Sequence, residues 1–81
     1  MSEHLVRSPL PGVFYRRPSP DKPPFVEEGD TVSADSTIGL VEVMKQFAEV
    51  KAGADGSLTA FAVEDQDVLG AGDTVATVEA D

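Results

Sequence analysis

The sequence predicts an all-β fold, a small sandwich or barrel of short strands with an approximate two-fold axis. Its five aromatic residues include no Trp, so the core must come mainly from Val, Leu, Ile and Ala, a mix that favours strands. No window carries a capped apolar pattern of helical period; short β-rich runs alternate with Gly and Asp turn chemistry instead. The chain also repeats itself, which is the expected signature of two similar halves.

The repeat is clearest between residues 26–42 (VEEGDTVSADSTIGLVE) and 63–79 (VEDQDVLGAGDTVATVE). Seven of the seventeen positions are identical: Val26/Val63, Glu27/Glu64, Asp30/Asp67, Ala34/Ala71, Thr37/Thr74, Val41/Val78 and Glu42/Glu79. A weaker correspondence lays 5–14 over 49–58, matching Val6 to Val50 and Gly12 to Gly56. That offset is longer by seven residues, so the first half must hold an insertion between Tyr15 and Val26. The segment 16–24 (RRPSPDKPP), rich in proline, is the expected insertion.

Element by element, residues 1–4 read as a frayed end. Gly12–Tyr15 and the run from Gly56 to Val63 follow glycines and are rich in strand formers. Glu28-Gly29-Asp30 and Gly70–Asp73 read as turns. Thr37–Val43 and Thr74–Glu79 are β-rich runs bounded by them. From Phe47 the pattern alternates: Ala48, Val50 and Ala52 form an apolar face, and Phe47, Glu49 and Lys51 the other. Residues 1–81 are expected to make a single domain.

Six Lys and Arg against fifteen Asp and Glu give a formal charge of −9, which repels phosphate backbones and anionic lipid. Nucleic-acid and membrane partners are therefore not expected. Without cysteine there is no disulfide, thiolate metal site or thiol nucleophile, and the default location is the cytoplasm. No metal site is expected. The pairs Glu27-Glu28 and Glu64-Asp65 recur in both halves and read as solvated turn edges rather than catalytic carboxylates. His4, near the frayed end, reads as solvated.

The segment joining strands 37–43 and 47–52 is Met44-Lys45-Gln46, which lacks the Asn-Gly or Asp-Gly of a strong hairpin turn. The repeat places it nonetheless. Shifted by either offset, Lys45 falls at the chain ends, so the connector takes the place that the termini take in the other half. The termini are then expected at one end of the molecule and Lys45, the most projecting lysine, at the other.

Glu42-Val43-Met44-Lys45 resembles the attachment motif of biotinyl domains. Further similarity runs through Gly12–Arg16, Pro18-Ser19-Pro20-Asp21 and Phe25–Asp30, in the order and spacing of biotin carboxyl carrier proteins of bacterial acetyl-CoA carboxylase. The resemblance covers about residues 5–79, and the segment 16–24 falls where those carriers have a protruding thumb. It implies a flattened barrel of two four-stranded antiparallel sheets with covalent biotin on Lys45. It also implies a biotin protein ligase that recognises Glu42, Val43 and Met44 around that lysine; Gln46, a further candidate there, stands where biotinyl domains usually have Met or another apolar residue. A biotin carboxylase would load the biotin, and a carboxyltransferase would pass the carboxyl group to acetyl-CoA or a related acceptor. The chain would be a carrier, not an enzyme. Phe47 and the thumb residues Pro18, Ser19, Pro20 and Asp21 are candidate contacts with biotin or a partner. Two other readings stay open: a lipoyl-bearing swinging arm and an unmodified structural barrel. Lipoyl domains typically place Asp before the lysine and Ala after it, where this chain has Met44 and Gln46.

Overall fold

The computed structural model describes residues 2–80. Eight strands follow one another: β1 Ser2–Arg7, β2 Gly12–Tyr15, β3 Thr31–Val32, β4 Thr37–Val43, β5 Gln46–Lys51, β6 Gly56–Phe61, β7 Val68–Leu69 and β8 Thr74–Ala80. They form two four-stranded sheets, ordered β1-β8-β6-β3 and β5-β4-β2-β7, in which every pairing is antiparallel. Adding four to each strand number, cyclically, turns the first order into the second. The repeat read in the sequence is thus a two-fold relation between sheets.

The symmetry reaches single hydrogen bonds. Phe14 N–H donates to Asp67 O at 2.8 Å, and its counterpart Leu58 N–H to Asp30 O at 2.9 Å. Asp30 accepts from Glu27 N at 2.9 Å and Asp67 from Glu64 N at 2.9 Å, the same side-chain-closed turn in each half. At the next pair of turns the chemistry differs but the bond survives: Asp73 accepts from Gly70 N, and Ser36 Oγ from Ser33 N.

The core lies between the sheets and draws on both. Val6, Val32, Leu58, Val75 and Val78 face Phe14, Ile38, Val41, Val50 and Leu69, all at most 5% exposed. Val50 and Ala52 point inward while Phe47, Glu49 and Lys51 are exposed, as the alternation requires. Gly12 and Gly56, counterparts in the repeat, are glycine for one reason. A Cβ at either would collide with the carbonyl oxygen of Glu42 or Glu79 on the neighbouring strand.

Three sequence readings need correction. Residues 2–4 are not frayed: Ser2, Glu3 and His4 pair with Ala80, Glu79 and Val78. A terminal strand leaves little local signal, because its order comes from a partner more than seventy residues away. Met1 lies outside the described residues. His4 is half-buried rather than solvated, its ring against Gly53. Nor are Glu28 and Asp65 merely solvated edges. Glu28 Oε2 accepts from Phe61 N at 2.9 Å and Asp65 Oδ1 from Arg16 N at 2.8 Å, so the residue ahead of β3 holds the end of β6 and the residue ahead of β7 holds the end of β2. Strands β3 and β7, two residues each, were hidden among turn residues.

Candidate functional site

Strands β4 and β5 form a hairpin in which Val43 pairs with Gln46 and Glu42 with Phe47, leaving Met44-Lys45 as a two-residue loop. Both loop residues have positive φ, 52° and 65°, the pattern of a type I′ turn. This turn matches the twist of the strands, but each non-glycine residue so placed costs about 1 kcal/mol or more. Met44 is 90% exposed, so it fills no core. Lys45 and Gln46 are exposed too, whereas Glu42 and Val43 are half-buried and Val43 packs against the core. Among the described residues no carboxylate lies within 4 Å of the Lys45 amine. The Ser2–Ala80 pair is the counterpart of Gln46–Val43, so the hairpin does occupy the place that the chain ends take in the other half.

Beside the hairpin lies a groove of about 430 Å³. One wall is Tyr15 and Phe47, whose ring centroids are 6.3 Å apart; another is Asp65 and Gln66; the third is residues 17–20 of the insertion. The Tyr15 hydroxyl donates to Glu42 Oε1 at 3.0 Å, tying the groove to the strand that carries the lysine. That hydrogen bond, followed by partial burial and the nearby Glu42 and Asp65 charges, pushes the Tyr15 pKa up.

The insertion stands as a braced loop. Phe25 N–H donates to Arg16 O at 2.9 Å and closes its base. The Arg16 guanidinium lies 4.2 Å from the Phe61 ring centroid and reaches Glu27 at 3.8 Å, with its Nε buried and unpartnered. At the far end Ser19-Pro20-Asp21-Lys22 makes a turn, Lys22 N–H to Ser19 O at 3.1 Å, with Pro20 at the position that suits its fixed φ. Ser19 Oγ donates to Asp21 Oδ1 at 2.7 Å, and this bond is the main cause of a lowered Asp21 pKa. Of the five residues read as contacts, Phe47, Pro18, Ser19 and Pro20 share the groove. Asp21 does not line it and shapes the loop instead.

An exposed amine on a rigid tip beside a groove is the arrangement of a tethered-arm protein, and comparison with known proteins decides which. The family model described as "Biotin-requiring enzyme", for biotin and lipoyl domains, matches residues 4–81. The chain belongs to this biotin/lipoyl family. It is 49% identical over 65 residues to the biotin carboxyl carrier protein of acetyl-CoA carboxylase from Streptococcus pyogenes, covering 80% of this chain and 39% of that one. The same protein from Haemophilus influenzae is 42% identical over 65 residues, 80% of this chain and 42% of the relative. The chain therefore spans about two fifths of the length of these curated relatives. Among solved structures, Kluyveromyces lactis urea carboxylase superposes with a TM-score of 0.80 at 27% identity, over 96% of this chain and 6% of that one.

A biotin/lipoyl domain needs a primary amine to form an amide with the cofactor's carboxylate, and the hairpin tip offers one. The donor set fits biotin: the groove adds hydroxyl, amide, aromatic and guanidinium groups within reach of an arm grafted there. Sequence reading missed Tyr15, Arg17, Asp65 and Gln66 as groove residues. A signal for two of them was present. Gln66 stands where the repeat has Gly29, keeping a positive φ of 72° that glycine holds freely, and Tyr15 stands where it has Thr59.

Proposed function

We propose that residues 1–81 act as one biotin carboxyl carrier unit, with biotin in amide linkage to Lys45 Nζ. The observation that carries this reading is the Met44-Lys45 turn, two non-glycine residues held at positive φ with their side chains in solvent. A fold selected for stability alone would place Asn and Gly there; Met and Lys stand there for what their side chains do.

A biotin protein ligase would read Glu42, Val43, Met44 and Gln46 on the rigid hairpin while the Lys45 amine, once deprotonated, attacks the activated carboxyl of biotin. Amide formation removes the charge of the amine and leaves a long arm. The biotin would then accept a carboxyl group at a biotin carboxylase and deliver it at a carboxyltransferase acting on acetyl-CoA or a related acyl-CoA. Tethering raises the effective concentration of the arm at each site to the order of millimolar. Phe47, Pro18, Ser19 and Pro20 form the surface on which the arm rests between visits, and Asp21 keeps the thumb turned toward it. The chain's own part is carriage, in the cytoplasm, without nucleic-acid or membrane partners. Net charge −9 supports that list and favours basic docking surfaces on the two enzymes.

The test is incubation of the purified protein with a biotin protein ligase, ATP and biotin, followed by intact mass and avidin capture. One biotinyl group per chain is expected in the wild type and none in Lys45→Arg, although Lys22 and Lys51 remain. A wild type left unmodified while a known carrier is biotinylated in the same tube contradicts the proposal.

A further inference from the structure

The two-fold relation supplies an internal control. Where one half does without a residue, the fold does not need that residue in the other. Around the groove the halves diverge: Tyr15 corresponds to Thr59, Phe47 to Glu3 and Gln66 to Gly29, and residues 16–24 have no full counterpart. These departures converge on one cavity, beside the one hairpin that carries an exposed lysine at its turn.

Within that cavity Arg17 is the basic side chain. The chain holds fifteen carboxylates, yet among the described residues none lies within 4 Å of the Arg17 guanidinium. Its one hydrogen bond there, Nη1 to Lys22 O, is long at 3.4 Å. Asp65, the carboxylate in the same lining, is engaged elsewhere, by Arg16 N at 2.8 Å and Gln66 Nε2 at 3.5 Å. A guanidinium left without an anion in so acidic a protein is available to one that arrives.

We infer that Arg17 recognises the loaded state of the arm, so that the groove binds carboxylated biotin in preference to biotin. This rests on the carrier reading above. The unloaded ureido ring is neutral, whereas the N-carboxylate formed on loading is an anion that the net charge of the domain would otherwise repel. The lysyl and valeryl chains together outreach the two strand residues, about 7 Å, from Lys45 to Phe47. Pairing also protects the cargo. Decarboxylation breaks the N–C bond; the electron pair stays on nitrogen, which takes a proton from water, and carbon dioxide leaves. A guanidinium on the carboxylate stabilises charge that disappears along this path, and so slows it.

The experiment uses biotinylated protein, its modification first verified by mass. Biotin carboxylase, ATP and labelled bicarbonate load the arm with release of ADP and phosphate, rapid gel filtration removes the enzyme, and the label remaining is followed with time. Arg17→Gln is expected to lose label about two- to five-fold faster than wild type, the range of a solvent-exposed ion pair. Arg17→Lys should fall between them, and molar salt should erase the difference. Arg7→Gln, a charge removed from β1 outside the groove, should decay like wild type. Equal decay in wild type and Arg17→Gln overturns this inference and leaves biotinylation standing. An unmodified Lys45 overturns both.

Discussion

At Met44 the backbone and the side chain want different things. The positive φ there suits Asn, whose short polar side chain tolerates the left-handed region, while Met gains nothing from 90% exposure. Met44→Asn should therefore raise stability by about 1 kcal/mol in urea denaturation, with an unchanged m-value, and lower the rate of biotinylation by a ligase. Tyr15 makes a second residue-scale case. Its hydroxyl donates to Glu42, which raises its pKa above the ordinary tyrosine value near 10. A raised folded pKa means that the contribution is complete below that ordinary value and is lost as pH rises through the higher one. The urea midpoint of the wild type should fall toward that of Tyr15→Phe as the pH rises above 10, and a constant gap would show that the hydrogen bond does not hold. The hairpin tip that carries Lys45 was legible in the sequence because the repeat puts it where the chain ends fall in the other half. Tyr15 and Gln66 showed there only as departures from the repeat, because their importance lies in a groove assembled from segments some fifty residues apart.

At the scale of elements, strand β2 joins the site to the core. Phe14 is fully buried, Tyr15 and Val13 pair with β4, and Gly12 lets the Glu42 carbonyl approach closely. Gly12→Ala is expected to cost about 1–3 kcal/mol in chemical denaturation, the range of an overpacked site, because the obstacle is backbone and cannot rotate away. A loss near zero would mean that β2 and β4 pack less tightly than described. Strands β4 and β5 were legible, the first as a β-rich run bounded by turn residues and the second by its period-two alternation. Strands β1, β3 and β7 were not: the first is fixed by a distant partner, and the other two are shorter than any periodicity can mark. The proline-rich excursion was visible as a mismatch between two offsets. Its bracing by Arg16 on Phe61 and by Asp65 was not, because that needs three segments at once.

For the whole molecule the two-fold relation makes quantitative demands. Asp30 and Asp67 close equivalent turns with bonds of equal length, so Asp30→Ala and Asp67→Ala should destabilise alike, by about 1 kcal/mol each. With the turns in opposite halves, the double variant should show the sum. Unequal costs in thermal or urea unfolding would show that the halves match in shape but not in energy. The symmetric frame is what makes the asymmetric features informative, because a barrel needs neither a thumb nor a lysine at one turn. The most direct measurement is fragmentation mass spectrometry of the protein after treatment with a biotin protein ligase, mapping every lysine. Modification confined to Lys45, with Lys22 and Lys51 untouched, is the result expected. Biotin on either of those two, or on no lysine at all, would contradict it.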